Sequence, residues 1–154
     1  MRLQVDRPLD LAALVGQELP PSETFALTQS DVDRFVALSQ DRQWIHCDTE
    51  RAKAALPTGR TIVPGNLLIA QLPRLLQQAY TVARCDMSMV AEYRRVRFRH
   101  PVGTEVPLFL QARFVSVTPT RSFVRVETNC EINFAETRKP VLTATVVDLF
   151  YDSG

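Results

Sequence analysis

The sequence predicts an α+β domain in which an antiparallel sheet wraps around one central buried helix. Three observations carry this. The segment Asn66–Tyr80 is apolar around most of its circumference, the mark of a helix with no solvent face. Beyond it the hydrophobic period drops to two, as half-buried strands require. Only short turn signals separate those strands, and short turns join antiparallel neighbours. The sheet must bury its apolar face, and Asn66–Tyr80 is the long apolar partner available.

Taken in order, Leu9–Val15 is a short apolar segment closed by Gly16, and Ser22–Leu27 reads as a first strand. Thr28, with Asp31 three residues on, forms an acidic variant of the capping box. The helix it starts presents Val32, Phe35, Val36 and Leu38 and ends near Ser39. Gln40–Cys47 has neither period and reads as a loop. Asp48 caps a short helix through Leu56, which Pro57-Thr58-Gly59 ends. Pro64-Gly65 then precedes the buried helix with its Leu67, Leu68, Leu72, Leu75, Leu76 and Ala79. Pro73 within it removes one backbone bond and predicts a bend.

Strict alternation follows in three runs: Val106–Phe114, Val124–Ile132 and Val141–Leu149, the last with Val141, Thr143, Thr145, Val147 and Leu149 on one face. Met87–Phe98 shows the period less clearly. Its Val96 and Phe98 are expected to face the core, with Arg95, Arg97 and Arg99 outside as a solvated face. The breaks at Pro101-Val102-Gly103, Thr118-Pro119-Thr120 and Ala135–Pro140 make these strands a meander.

A chain of 154 residues, 45% hydrophobic and 23% charged, fits one domain over residues 1–154. That length buries a core without disulfides or metal. Eighteen basic against seventeen acidic residues leave a net charge of +1, whereas a nucleic-acid binder usually shows a basic excess. The three cysteines, Cys47, Cys85 and Cys130, form neither a disulfide framework nor a C-x-x-C motif. Arg2, Asp6, Arg7 and Asp10 leave no apolar core for a signal peptide. No run approaches the ~18 apolar residues of a spanning helix. A cytoplasmic protein without membrane or nucleic-acid partners is expected.

Two features bear on chemistry. Asp41 and His46 bracket the Gln40–Cys47 loop, and a bent loop can bring both ends to one water. Their ordinary pKa values permit proton traffic near neutral pH. By spacing alone, the simpler reading is that Asp41 caps a turn and His46 is a buried residue satisfied by the backbone. Pro64-Gly65 places free N–H groups at a helix start, suited to a developing oxyanion. Alone, it is also an ordinary turn into a helix. Cys47 adjoins His46, but adjacent residues on an extended segment point apart, so a thiol nucleophile is not expected.

Read together, these residues resemble the MaoC-like family of R-specific enoyl-CoA hydratases, in its nodulation-protein-N-like branch. The resemblance rests on Asp41 through Gln43-Trp44-Ile45-His46, Leu14-Val15-Gly16, Ile62-Val63-Pro64-Gly65, Leu72-Pro73-Arg74-Leu75, Tyr93, Val96-Arg97-Phe98 and Pro101-Val102. It spans about residues 10–150. It implies a hot-dog fold and hydration of trans-2-enoyl-CoA to (3R)-3-hydroxyacyl-CoA, or the reverse. Asp41 and His46 would hold the catalytic water, and the Gly65 N–H would bind the thioester oxygen. It implies no cofactor and no metal, since the substrate carries its own CoA or acyl-carrier-protein phosphopantetheine. A homodimer is expected. Pro64 stands where the family usually has His, Gln40 where it has Gly, and Ala70 where some members carry a hydroxyl residue. A hot-dog thioesterase and a non-catalytic subunit of a hydratase complex are the alternatives. Asn66–Tyr80 contains no Asp or Glu, which counts against one large thioesterase class.

Overall fold

The computed structural model describes residues 2–152. Leu3–Val5 forms β1, and Pro8–Leu14 forms a 3-10 helix that buries Leu11. The strand expected over Ser22–Leu27 does not form. The N–H groups of Gly16, Leu19, Ser22 and Phe25 instead donate to the carbonyls of Phe114, Ala112, Leu110 and Leu108, at 2.8–3.0 Å. Donors three residues apart face acceptors two apart, so no regular ladder can build. Pro20 and Pro21 also lack the N–H a strand needs.

Helix α1 (Gln29–Ser39) starts as the sequence predicts. Thr28 Oγ1 accepts from the Asp31 N–H at 3.1 Å, and Asp31 Oδ2 accepts from the Thr28 N–H at 2.9 Å. It ends on Gln40 with φ of 62°, the left-handed position usually given to glycine. The expected loop over Gln40–Cys47 is corrected in part, because Trp44–Cys47 closes one helical turn, α2. Asp48 caps α3 (Thr49–Ala55) through the Arg51 N–H at 3.0 Å. Helix α4 (Gly65–Ala79) runs without interruption through Pro73 and leads directly into β2 (Tyr80–Val82), which pairs in parallel with β1.

Strands β3 (Met87–Phe98), β4 (Leu108–Pro119), β5 (Val124–Phe134) and β6 (Pro140–Tyr151) form one antiparallel sheet. Its order is β3-β6-β5-β4, so only the last three strands are a meander. β3 crosses to the far edge and pairs with β6. Burial accounts for this. β6 is buried over nearly its whole length and occupies an interior place, whereas β3 is exposed along most of its length, as suits an edge. Leu68, Leu72, Leu75 and Leu76 of α4 share one core with Leu108, Leu110, Phe114, Val126, Ile132 and Leu142 of the sheet. β4 and β5 bury the faces their alternation predicts. β6 is buried on both faces: Val141, Thr145 and Val147 of the expected face are buried, and Leu142, Ala144, Val146 and Phe150 line the core as well. Their β5 partners Ile132, Cys130, Thr128 and Val124 set this register.

Candidate active site

His46 is brought inside by the single turn of α2. Its ring is buried and its Nδ1 lies 2.7 Å from the Ile62 carbonyl oxygen. A carbonyl only accepts, so Nδ1 carries a proton. In the neutral ring this leaves Nε2 as an acceptor. Nε2 points toward Asp41, 4.0 Å from its Oδ2. The backbone around the ring is braced. Ile62 N–H donates to the Ile45 carbonyl at 2.9 Å. Gln29 Nε2 donates to the His46 carbonyl at 2.8 Å, while the buried Thr61 hydroxyl donates to Gln29 Oε1. Gln29 and Thr61 carry no periodic or motif signal. Only the closure of α1 against the chain before α4 reveals them.

Asp41 follows the left-handed Gln40 and remains partly exposed, with its side chain 43% accessible. Its backbone N–H meets Ser39 Oγ at 3.3 Å. Its carboxylate accepts no hydrogen bond among the described residues, so it caps no turn. The backbone bond of His46, by contrast, is present. The structure therefore contains the two ends of the loop side by side, with one partner ordered and the other open to solvent.

Gly65 is the first residue of α4. Among the described residues, neither its N–H nor that of Asn66 has a backbone partner; the first such bond is Leu67 N–H to the Pro64 carbonyl at 3.0 Å. Free donors at a helix start carry partial positive charge. Gly65, Asn66 and His46 line one cavity of about 430 Å³ together with Phe98, His100 and Val102. His100 is held by its Nδ1, 2.7 Å from the Pro140 carbonyl.

Phe98 faces α4 as expected, opposite Leu142 of the core face, but it remains 53% exposed, with its ring lying against Gly65. A Cβ built on Gly65 would sit 2.5 Å from Phe98 Cε1 and 2.7 Å from Cζ. A bulge sets this face. The β3–β6 register shifts between Arg94 and Arg97, and Arg95 adopts φ of 52°. One extra residue re-aims the side chains after it, so Phe98 swings over the start of α4. The β3 arginines behave as a solvated face, where Arg94 pairs with Glu92 at 2.6 Å and Glu127 at 3.3 Å. Cys47 is exposed. Burial, followed by Asp33 and Asp41, pushes its thiol upward, which disfavours a thiolate.

A family model described as a MaoC like domain matches residues 10–136. A stretch of 93 residues, 60% of this chain, is 43% identical to 3-hydroxyacyl-thioester dehydratase Z of Mycobacterium tuberculosis and spans 61% of that protein. Nodulation protein N of Rhizobium meliloti is 31% identical over 147 residues, covering 88% of this chain and 85% of the relative. The solved unliganded R-hydratase of Pseudomonas aeruginosa superposes with a TM-score of 0.73 at 20% identity, covering 90% of this chain and 83% of that one. That likeness places the sheet and α4 in the hot-dog fold. With the family model spanning most of the chain and nodulation protein N matching it nearly end to end, the chain belongs to the MaoC-like family.

Proposed function

We propose that this protein hydrates trans-2-enoyl thioesters to (3R)-3-hydroxyacyl thioesters, or catalyses the reverse dehydration. The observation that carries the reading is the gap between His46 Nε2 and Asp41 Oδ2. A water within hydrogen-bond reach of both, about 2.8 Å from each, subtends about 90° across their 4.0 Å separation. Both groups face that water as acceptors. Membership of the family and the dehydratase named among its relatives support the same chemistry.

In this mechanism the thioester oxygen accepts from the Gly65 N–H, which withdraws electrons from C3. Asp41 takes a proton as the water oxygen bonds to C3. Negative charge then collects on the thioester oxygen, where a fixed donor stabilises it without reorganising. The proton, held between Asp41 and His46, passes to C2. Oxygen and proton thus arrive from one water on one face of the double bond. The step balances without a cofactor or a metal.

Incubation of the pure protein with crotonyl-CoA tests this. Loss of enoyl absorbance without free thiol supports hydration. Free thiol indicates a thioesterase, and no change indicates a non-catalytic subunit. We also propose a homodimer joined through β3. Its outer edge is unpaired among the described residues, and it exposes Met87, Met89, Tyr93 and Phe98. Open apolar edges favour pairing. Light scattering at micromolar concentration should give twice the chain mass, and a monomeric mass refutes the pairing.

A further inference from the structure

We propose that a second cavity, at the C-terminal end of α4, is a binding site for a small organic ammonium ion whose nitrogen is held by Asp148. The inference is independent of the hydratase reading. Asp148 lies on the core face of β6, between Val146 and Phe150 on its own strand. Val126 and Val90 are its neighbours on β5 and β3. An apolar residue is the ordinary occupant of such a place. The residue is only 8% exposed, and among the described residues its carboxylate makes no hydrogen bond and no ion pair. Burial alone pushes its pKa up to about 6. A buried charge without a partner is costly, and a ligand supplying the opposite charge removes the cost.

The surroundings indicate what such a ligand carries. Asp148 opens into a cavity of about 360 Å³ walled by Leu76, Tyr80, Val90 and Phe150, within the range of small-molecule sites. The Tyr80 and Phe150 rings are 6.3 Å apart at 45°, so a cation at the carboxylate also meets aromatic surface. An anion is repelled, and a neutral molecule leaves the carboxylate uncompensated. Arg2 lines the cavity but is exposed and makes no ion pair with Asp148. The other titratable neighbours are Tyr80, Cys85, Tyr93 and Cys130, all shifted upward with burial as the main cause. None of these four gains charge between pH 5 and 7. The cavity shares no lining residue with the one at His46.

The probes are phenethylamine and its uncharged counterpart phenethyl alcohol, titrated calorimetrically into the full chain at pH 8. The amine is expected to bind at least tenfold more tightly than the alcohol. Asp148→Asn should remove that preference, and so should lowering the pH to 5, where Asp148 gains a proton. Asp148→Asn removes a buried charge, so the variant is expected to fold, which circular dichroism checks. Equal affinity for amine and alcohol, unchanged amine affinity in Asp148→Asn, or no binding of the amine each overturns the proposal.

Discussion

Without ligand, Asp148→Asn is expected to shift stability in the variant's favour as pH rises. The isosteric change keeps the shape and removes the charge. Burial raises Asp148 from 3.8 to about 6, so the folded state binds more protons than the unfolded chain between those values. Stability therefore falls as pH rises through this window and is lowest above it. At about 1.36 kcal/mol per tenfold change in proton affinity, the penalty is about 3 kcal/mol at pH 8, of which about 2.5 kcal/mol develops above pH 4. The buried amide of the variant has its own desolvation cost, of about 1–3 kcal/mol, but this does not vary with pH. The informative quantity is the difference between the variant's gain at pH 8 and at pH 4. In a chain of this size it corresponds to about 5–10 °C in Tm. Urea or thermal unfolding of both proteins across that range measures it. Parallel stability profiles for wild type and variant would refute the argument that Asp148 is a buried, uncompensated carboxylate.

Other outcomes concern the proposed active site. Asp41→Asn and His46→Gln should each lower crotonyl-CoA hydration by roughly 100- to 10,000-fold with circular dichroism unchanged. Because both act on one water, the double variant should be little worse than either; Asp41→Asn retaining more than half the wild-type rate would sink the mechanism. Gly65→Val should lose about 100- to 1000-fold in kcat. Its fold should persist, because the atoms a side chain meets belong to the exposed Phe98 ring, and normal turnover in a folded variant would remove Gly65 from the site. Phe98→Ala should raise the rate on a 2-methyl-enoyl-CoA relative to crotonyl-CoA by tenfold or more. With the thioester oxygen at Gly65, the ring lies beside C2, and an unchanged ratio would show that it does not bound the substrate there.

The sequence by itself determined the parts that depend on local chemistry. Thr28 and Asp31 specify the start of α1 because both bonds of a capping box lie within four residues. Asp48 does the same for α3. The apolar run of Asn66–Tyr80 requires a helix with a broad buried face, although the structure leaves Asn66, Ala70, Arg74 and Gln77 exposed along one stripe where the sequence predicts no wet face. The period of two in β4 and β5 assigns their buried sides. Asp41, His46 and Gly65 stood out through a resemblance in residue order, and their spacing alone left an ordinary structural reading open. The tertiary structure decided what depends on partners distant in the chain. β3 lies beside β6 rather than β4, because strand order follows which edges can be buried. Both faces of β6 are apolar, so its alternation gave no direction. The register with β5 turned the even-numbered residues inward and carried Asp148 with them. The bulge at Arg95 set Phe98 opposite Leu142, on the face that α4 covers, since one extra residue in a pleated strand reverses the face of all that follow. A period of two assigns a side only where the two faces differ and the pleat is unbroken; elsewhere the choice belongs to the neighbouring strand.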